Sequence, residues 1–229
     1  MVMRSSWLIS PQDHARISAA VAAAEGNSDG EIATMLARRS DDYGDWALFL
    51  AAMASFAKLA ALALWADAFN DLLVALSGSW HSHFTSAELI AAALGVQMLV
   101  FALAWLALRW MPLRLALTPH LIKASRVRRE ALRAFRIGIE ARTRASTGVL
   151  VYLSLAERSA EIVADAAITS KVGPSEWGDA MAALITEVKA DRPADGIVAA
   201  VGKVGALIAL HFPRRHDDSN EMPDRLIEL

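Results

Sequence analysis

Trp46–Ala66 (WALFLAAMASFAKLAALALWA) and Leu89–Trp110 (LIAAALGVQMLVFALAWLALRW) decide the architecture of this chain. About 20 helical residues, each rising 1.5 Å, cross a hydrocarbon layer about 30 Å thick, and both runs reach that length. A spanning segment must bond all its own backbone groups, which a helix does within one segment. The two runs predict a membrane hairpin, with transmembrane helices over 46–66 and 89–110 and a connector over 67–88.

Charge sets the orientation. Between Arg109 and Arg144 lie ten Lys or Arg residues against two acids, Glu130 and Glu140, whereas the connector contains no Lys or Arg. The positive-inside rule therefore puts both flanks in the cytoplasm and the connector on the periplasmic side. Trp46, Trp65, Trp80, Trp105 and Trp110 fall at or near the span ends, where indole rings settle. Residues 1–17 lack the apolar core of a signal peptide, which agrees with an N-terminus that stays inside.

The spans account for most of the 55% hydrophobic content of this 229-residue chain, leaving about 160 residues for one small domain with its own core. A net charge of -2 gives no reason to expect a nucleic-acid partner. Without cysteine there is no disulfide framework and no thiolate chemistry.

Outside the spans, Ser10, Pro11 and Asp13 mark a helix start, with a capping hydroxyl, a proline in the first turn and an acid near the positive end. That helix runs to about Glu25, with Ile17, Ala20, Val21 and Ala24 on one face. Glu31–Leu36 reads as a short strand, and Ala68–Leu76 as a brief amphipathic helix in the connector. A long basic helix is predicted from His120 to Arg144, with Leu121, Val127, Leu132, Phe135 and Ile139 as its buried stripe. Thr147–Leu155 is the clearest strand, and Glu161–Asp165 returns as the second arm of a hairpin. Ser175–Lys189, capped by Ser175, and Asp195–Leu210 complete the pattern. The last, carrying Lys203, reads as a buried core helix. Residues 214–229 read as a polar tail. The order predicts an α/β fold, a small sheet with helices on both faces, assembled from residues 1–45 and 111–213 and interrupted by the hairpin.

These segments resemble one family. ISPQDHARISAAVAAAE followed by GEI, TGVLVYLSLAERSAEIVAD, Trp177 ahead of a helix, DGIVAAVGKVGALIALHFP and NEMP are similar to the TPM domain family in its bacterial membrane-hairpin variant. The resemblance implies an α/β sandwich on the bacterial inner membrane and a role as a protein-interaction or scaffold module. It also implies a membrane-protein partner, LemA-like among bacterial members, or a homo-oligomer. Some relatives are phosphatases or bind calcium, so the alternative it implies is a metal-dependent acid phosphatase or a divalent-cation domain using Ca or Mg. Where such relatives have glycine, aromatic, glycine and an acid, this chain has Ala164, Asp165, Ala166, Ala167 and Ile168. That departure favours the interaction role over an enzyme.

For the alternative, the candidate metal ligands are Asp41, Asp42, Glu157 and Asp165. If the two main strands are parallel neighbours, Asp41, Asp42 and the 156–158 turn leave the same sheet edge, where α/β sheets place ligands. No GxSxG, HExxH, P-loop or GxGxxG pattern occurs. His81 and His83 are too few for a zinc site, which takes three or four protein ligands. Within the spans, Lys58 and Gln97 lie 12 and 13 residues from the inner ends and are expected to meet, within the hairpin or across a homo-oligomer, the alternative being that Lys58 snorkels toward the surface. A cation at the bilayer centre costs about 2.5–3.5 kcal/mol on insertion scales, so Lys58 needs a polar partner. Arg114, Lys123, Arg126, Arg128 and Arg129 are expected at the membrane surface, where each cation near anionic head groups contributes about 1 kcal/mol.

Overall fold

The first helix starts where the sequence marks it. In the computed structural model, which describes residues 9–78, 84–138, 147–173, 175–214 and 222–229, α1 runs over Pro11–Glu25. The Ser10 hydroxyl accepts the Asp13 N–H at 3.1 Å, Pro11 opens the first turn, and Ile17 and Val21 are buried. The chain divides into two compact units, Met1–Asp41 with Pro119–Leu229, and Asp42–Thr118.

The first unit is built on a four-stranded sheet of order β3-β2-β1-β4: β1 Glu31–Ala37, β2 Gly148–Ser154, β3 Ser159–Ala164 and β4 Ile227–Glu228. Strand β1 pairs parallel with β2 from Glu31↔Gly148 to Ala37↔Ser154, as expected from the sequence. Strands β2 and β3 form an antiparallel hairpin, with Arg158 left-handed (φ 48°) in its turn. All seven residues of both β1 and β2 are buried, because both faces of the sheet are covered. Ile32, Leu36, Val149, Val151 and Leu153 pack with α1, α8 (Gly178–Lys189) and α9 (Pro193–His211). Ala33, Met35, Ala37, Leu150 and Tyr152 face the other way, onto Val127, Ala131 and Phe135 of α6 (His120–Gly138). The predicted extension of α6 to Arg144 lies outside the described residues.

Three elements correct the sequence reading here. Residues 214–229 are not simply a polar tail: β4 adds a parallel strand beside β1, Leu226 and Met222 are buried, and His14 meets Glu228 at 2.6 Å. Two ladder residues are too few to show a period, which is why the strand escaped a pattern search. Ser175 does not cap α8; that helix begins at Gly178, and just ahead of it the Glu176 carboxylate accepts the Gly173 N–H at 2.6 Å in a turn. A short helix, α7 (Ala166–Thr169), follows the hairpin at Asp165.

The second unit holds α2 (Gly44–Leu64), α3 (Ala66–Ser77), α4 (Ser86–Ala107) and α5 (Met111–Leu117). Both long helices start ahead of their apolar runs. The Asp42 carboxylate accepts the Gly44 N–H at 3.0 Å, and Thr85 and Glu88 form a reciprocal capping box. Ala47, Ala51 and Ser55, spaced four apart on α2, are buried together with Leu108, against which Phe101 and Ala104 pack. Small side chains at this spacing let two helices approach closely. Helix α5 was not foreseen; Trp46 Nε1 donates to its last carbonyl, Leu117, at 3.3 Å. The second half of the split domain thus begins at Pro119 rather than at residue 111.

Among the described residues three helices are long and apolar enough to cross a membrane, α2, α4 and α9, and they differ in what covers them. Half of the most apolar window of α9 is buried inside the protein, against 17% for α2 and none for α4. The buried stripe of α9 includes Ile197, Val201, Val204 and Ile208, and at Gly205 it runs tight against α1. A Cβ at Gly205 would stand 2.4 Å from the Ala24 Cβ, whereas one at Gly202 would meet nothing. Gly205→Ala is therefore expected to destabilise the domain by about 1–3 kcal/mol. Gly202→Ala, in the same helix, should be neutral or stabilising by up to about 1 kcal/mol. Chemical unfolding of the two variants checks the contrast, and equal losses would mean that α1 and α9 are not in close contact.

Candidate functional site

Parallel strands send their carboxyl ends to one edge of a sheet, so β1 and β2 deliver Ser40 and the 155–158 turn to the same place. The Ser40 N–H donates to Glu157 Oε1 at 3.1 Å, and the Ser40 hydroxyl lies 3.0 Å from the Tyr152 hydroxyl. The second carboxylate oxygen of Glu157 accepts the Ser154 hydroxyl. Tyr152 is fully buried, and burial pushes its phenol above the usual range; the bond with Ser40 acts the other way, and the charges of Glu130 and Glu157 push it further up. Next in the chain, Asp41 Oδ2 accepts from Arg126 at 2.9 Å and from Arg129 at 3.3 Å. These are charge-assisted contacts, with Asp41 and Arg126 both largely shielded from water.

The four candidate metal ligands do not converge. Glu157 shares the edge with Ser40 and Asp41, but Asp41 is occupied by two guanidinium groups and Glu157 by Ser40 and Ser154. Asp42 belongs to the other unit and accepts the Gly44 N–H at the start of α2. Asp165 is at the far end of the hairpin, about 20 Å of strand away, where its carboxylate accepts the Gly148 N–H at 2.8 Å. Among the described residues no three His, Asp or Glu side chains gather as a metal site. A divalent cation needs several oxygen ligands turned toward one point, and these carboxylates do not fit one. His81 and His83 lie outside the described residues.

The basic residues also divide. Arg126 is an internal partner of Asp41 rather than a surface cation. Arg114 donates from Nε to the Leu108 carbonyl at 2.8 Å and also bonds the Asp42 carbonyl, tying α5 to the end of α4 and to the start of its own unit. Lys123 sits in the first turns of α6, partly covered. Arg128 reaches Glu161 at 3.5 Å, and burial raises the Glu161 carboxyl above its ordinary range while Arg128 pulls it back down. Ser125, Arg128, Arg129, Leu132, Arg133, Arg136 and Ile137 line a shallow groove of about 430 Å³ on the outer side of α6. Within the described residues this groove gathers four arginines over an apolar floor.

Inside the hairpin, Lys58 does not meet Gln97. Lys58 Nζ donates to the Ala93 carbonyl at 3.3 Å, one helical turn away from Gln97, whose Nε2 donates to Ser55 at 2.6 Å. The expected depth match was measured from Trp46 and Trp110, but the helices begin and end elsewhere. Ser55 was missed, although Ala47 and Ala51 at i−8 and i−4 placed it on the packing face. Ser40 and Tyr152 were also missed, since only the sheet register brings them together.

Two consequences are measurable. Asp41→Asn should cost about 1–2 kcal/mol by leaving Arg126 without its counter-charge, most of it coupled to Arg126 in a double-mutant cycle. Arg129, more exposed, should couple far less. For Glu161, a raised folded-state value means that its contribution to stability is fully present below the ordinary glutamate pKa and is lost as pH rises through the folded value. Glu161→Gln should therefore gain stability relative to the parent protein between pH 4 and pH 7. Parallel pH profiles of unfolding for both proteins would expose a wrong sign.

Comparison by sequence with family models and with curated proteins finds no match. The structure is similar to the NMR structure of BA42 protein from the psychrophilic bacterium Bizionia argentinensis, with a TM-score of 0.56 and 16% identity, over 100% of this chain and 99% of that one. At that identity the likeness concerns the fold alone.

Proposed function

We propose that this protein is an integral membrane protein whose α2–α4 hairpin crosses the bacterial inner membrane and whose split α/β domain serves as a cytoplasmic protein-interaction module of the TPM kind. The observation that carries the membrane reading is the covering of the apolar helices. Leu48, Phe56, Leu64, Ile90, Met98, Leu103 and Leu106 of α2 and α4 are exposed, as lipid-facing residues are, while α9 turns its apolar stripe into its own domain. The basic stretch after α4 and the connector free of Lys and Arg support cytoplasmic termini. The interaction reading rests on the arginine-lined groove of α6, since the carboxylates that a hydrolytic centre would use are engaged by backbone N–H groups, hydroxyls and arginines. Arg133 and Arg136, in the lining of that groove, suit an acidic segment of a partner protein.

The absence of native cysteine makes the topology directly testable. In intact cells an impermeant maleimide should label Ser77→Cys in α3 and spare Lys203→Cys in α9 until the cells are lysed. The opposite pattern would invert the topology. In mild detergent the full chain should retain a stoichiometric membrane partner, and Arg133→Glu combined with Arg136→Glu should lose it.

A further inference from the structure

Lys58 is the single Lys or Arg within α2 and α4, and these helices carry no Asp or Glu beyond their first turns. It lies six residues from the Leu64 end of α2, about 9 Å along the axis, too deep for its surroundings to be water if the hairpin spans a bilayer. Its ammonium has three donors, and its one acceptor among the described residues is the Ala93 carbonyl, at 3.3 Å, in the middle of a helix. In the neighbouring polar pair Gln97 Nε2 donates to Ser55, and Gln97 Oε1, buried and without a hydrogen-bond partner among the described residues, is a neutral acceptor that supplies no counter-charge. The nearest acid in depth, Glu88, is held by the N–H and hydroxyl of Thr85 at 2.8 Å each. Ala54 and Ala61, one turn either side of Lys58, leave room for a close neighbour.

Lys58 is only partly covered by its own chain, so in a bilayer a cation with no counter-charge among the described residues faces lipid and marks an unfinished contact. A second copy of this chain has no acid at that depth to complete it. We propose that Lys58 docks a transmembrane helix of a partner protein carrying an aspartate or glutamate at the matching depth. This rests on the membrane reading above and names the chemistry of the partner it implies.

The test uses the full chain in zwitterionic liposomes, labelled through Lys203→Cys, and Leu/Ala-rich transmembrane peptides with Glu, Gln or Leu about six residues from one end. Energy transfer at pH 7.5 should show the Glu peptide associating about tenfold more tightly than the Leu peptide. Lys58→Leu should remove that preference, and Lys58→Arg should keep it. Equal binding of the Glu and Leu peptides, a preference that survives Lys58→Leu, or Lys58-dependent pairing of two copies in place of the peptide would each overturn the proposal. Flotation with the liposomes separates the two readings. A chain that fails to co-float overturns the membrane assignment, whereas an inserted chain with no preference for the Glu peptide overturns this proposal alone.

Discussion

The parallel ladder between residues 31–37 and 148–154 is the constraint on which the rest of the first unit depends. A parallel pair cannot be closed by a tight turn and needs a crossover. Here the chain between the two strands contains an entire second unit. Every side chain of the two central strands is buried, so the register is fixed on both faces at once. A slip of one residue would exchange the set facing α1 and α9 with the set facing α6. Strands β3 and β4 then extend an arrangement already determined.

Polar groups in this protein mostly serve that arrangement. Glu31 accepts the Met222 N–H at 3.1 Å and Glu25 the Ile32 N–H at 2.7 Å, joining β1 to the last segment and to α1. Thr147 donates to the Asp29 carbonyl at 2.9 Å, closing the same amino-terminal end of the ladder. Asp41 and the α6 arginines do the same at the carboxyl edge, where the chain leaves the domain. A carboxylate matched to guanidinium groups is neutralised and held still, which suits a structural contact within the domain better than a site that must bind and release an ion.

Much of this was legible in the sequence because it depends on short-range chemistry. Ser10, Pro11 and Asp13 specify a helix start by themselves, and TGVLVYLSL states a buried strand by its unbroken β-branched and apolar run. The pairing of the first strand with the one after Gly148 followed from chain order. What was not legible depends on register or on distant partners. The Ser40–Tyr152 contact and the separation of Asp165 from Glu157 appear only once the strands are aligned. Ile227–Glu228 is too short to carry a period, and Lys58 was matched to the wrong residue because cap residues shifted the ends of both helices.

The register Glu31↔Gly148 separates paired residues by more than a hundred positions, and this has a consequence for biosynthesis. At about 5–20 residues per second, a ribosome needs roughly 6–25 s to make the second strand after the first. During that interval β1 has no ladder, and the greasy segment between the strands emerges first. The sheet can close only after the whole intervening unit has been synthesised, so a completed ladder reports, at the level of the nascent chain, that the helices between its strands have already been made.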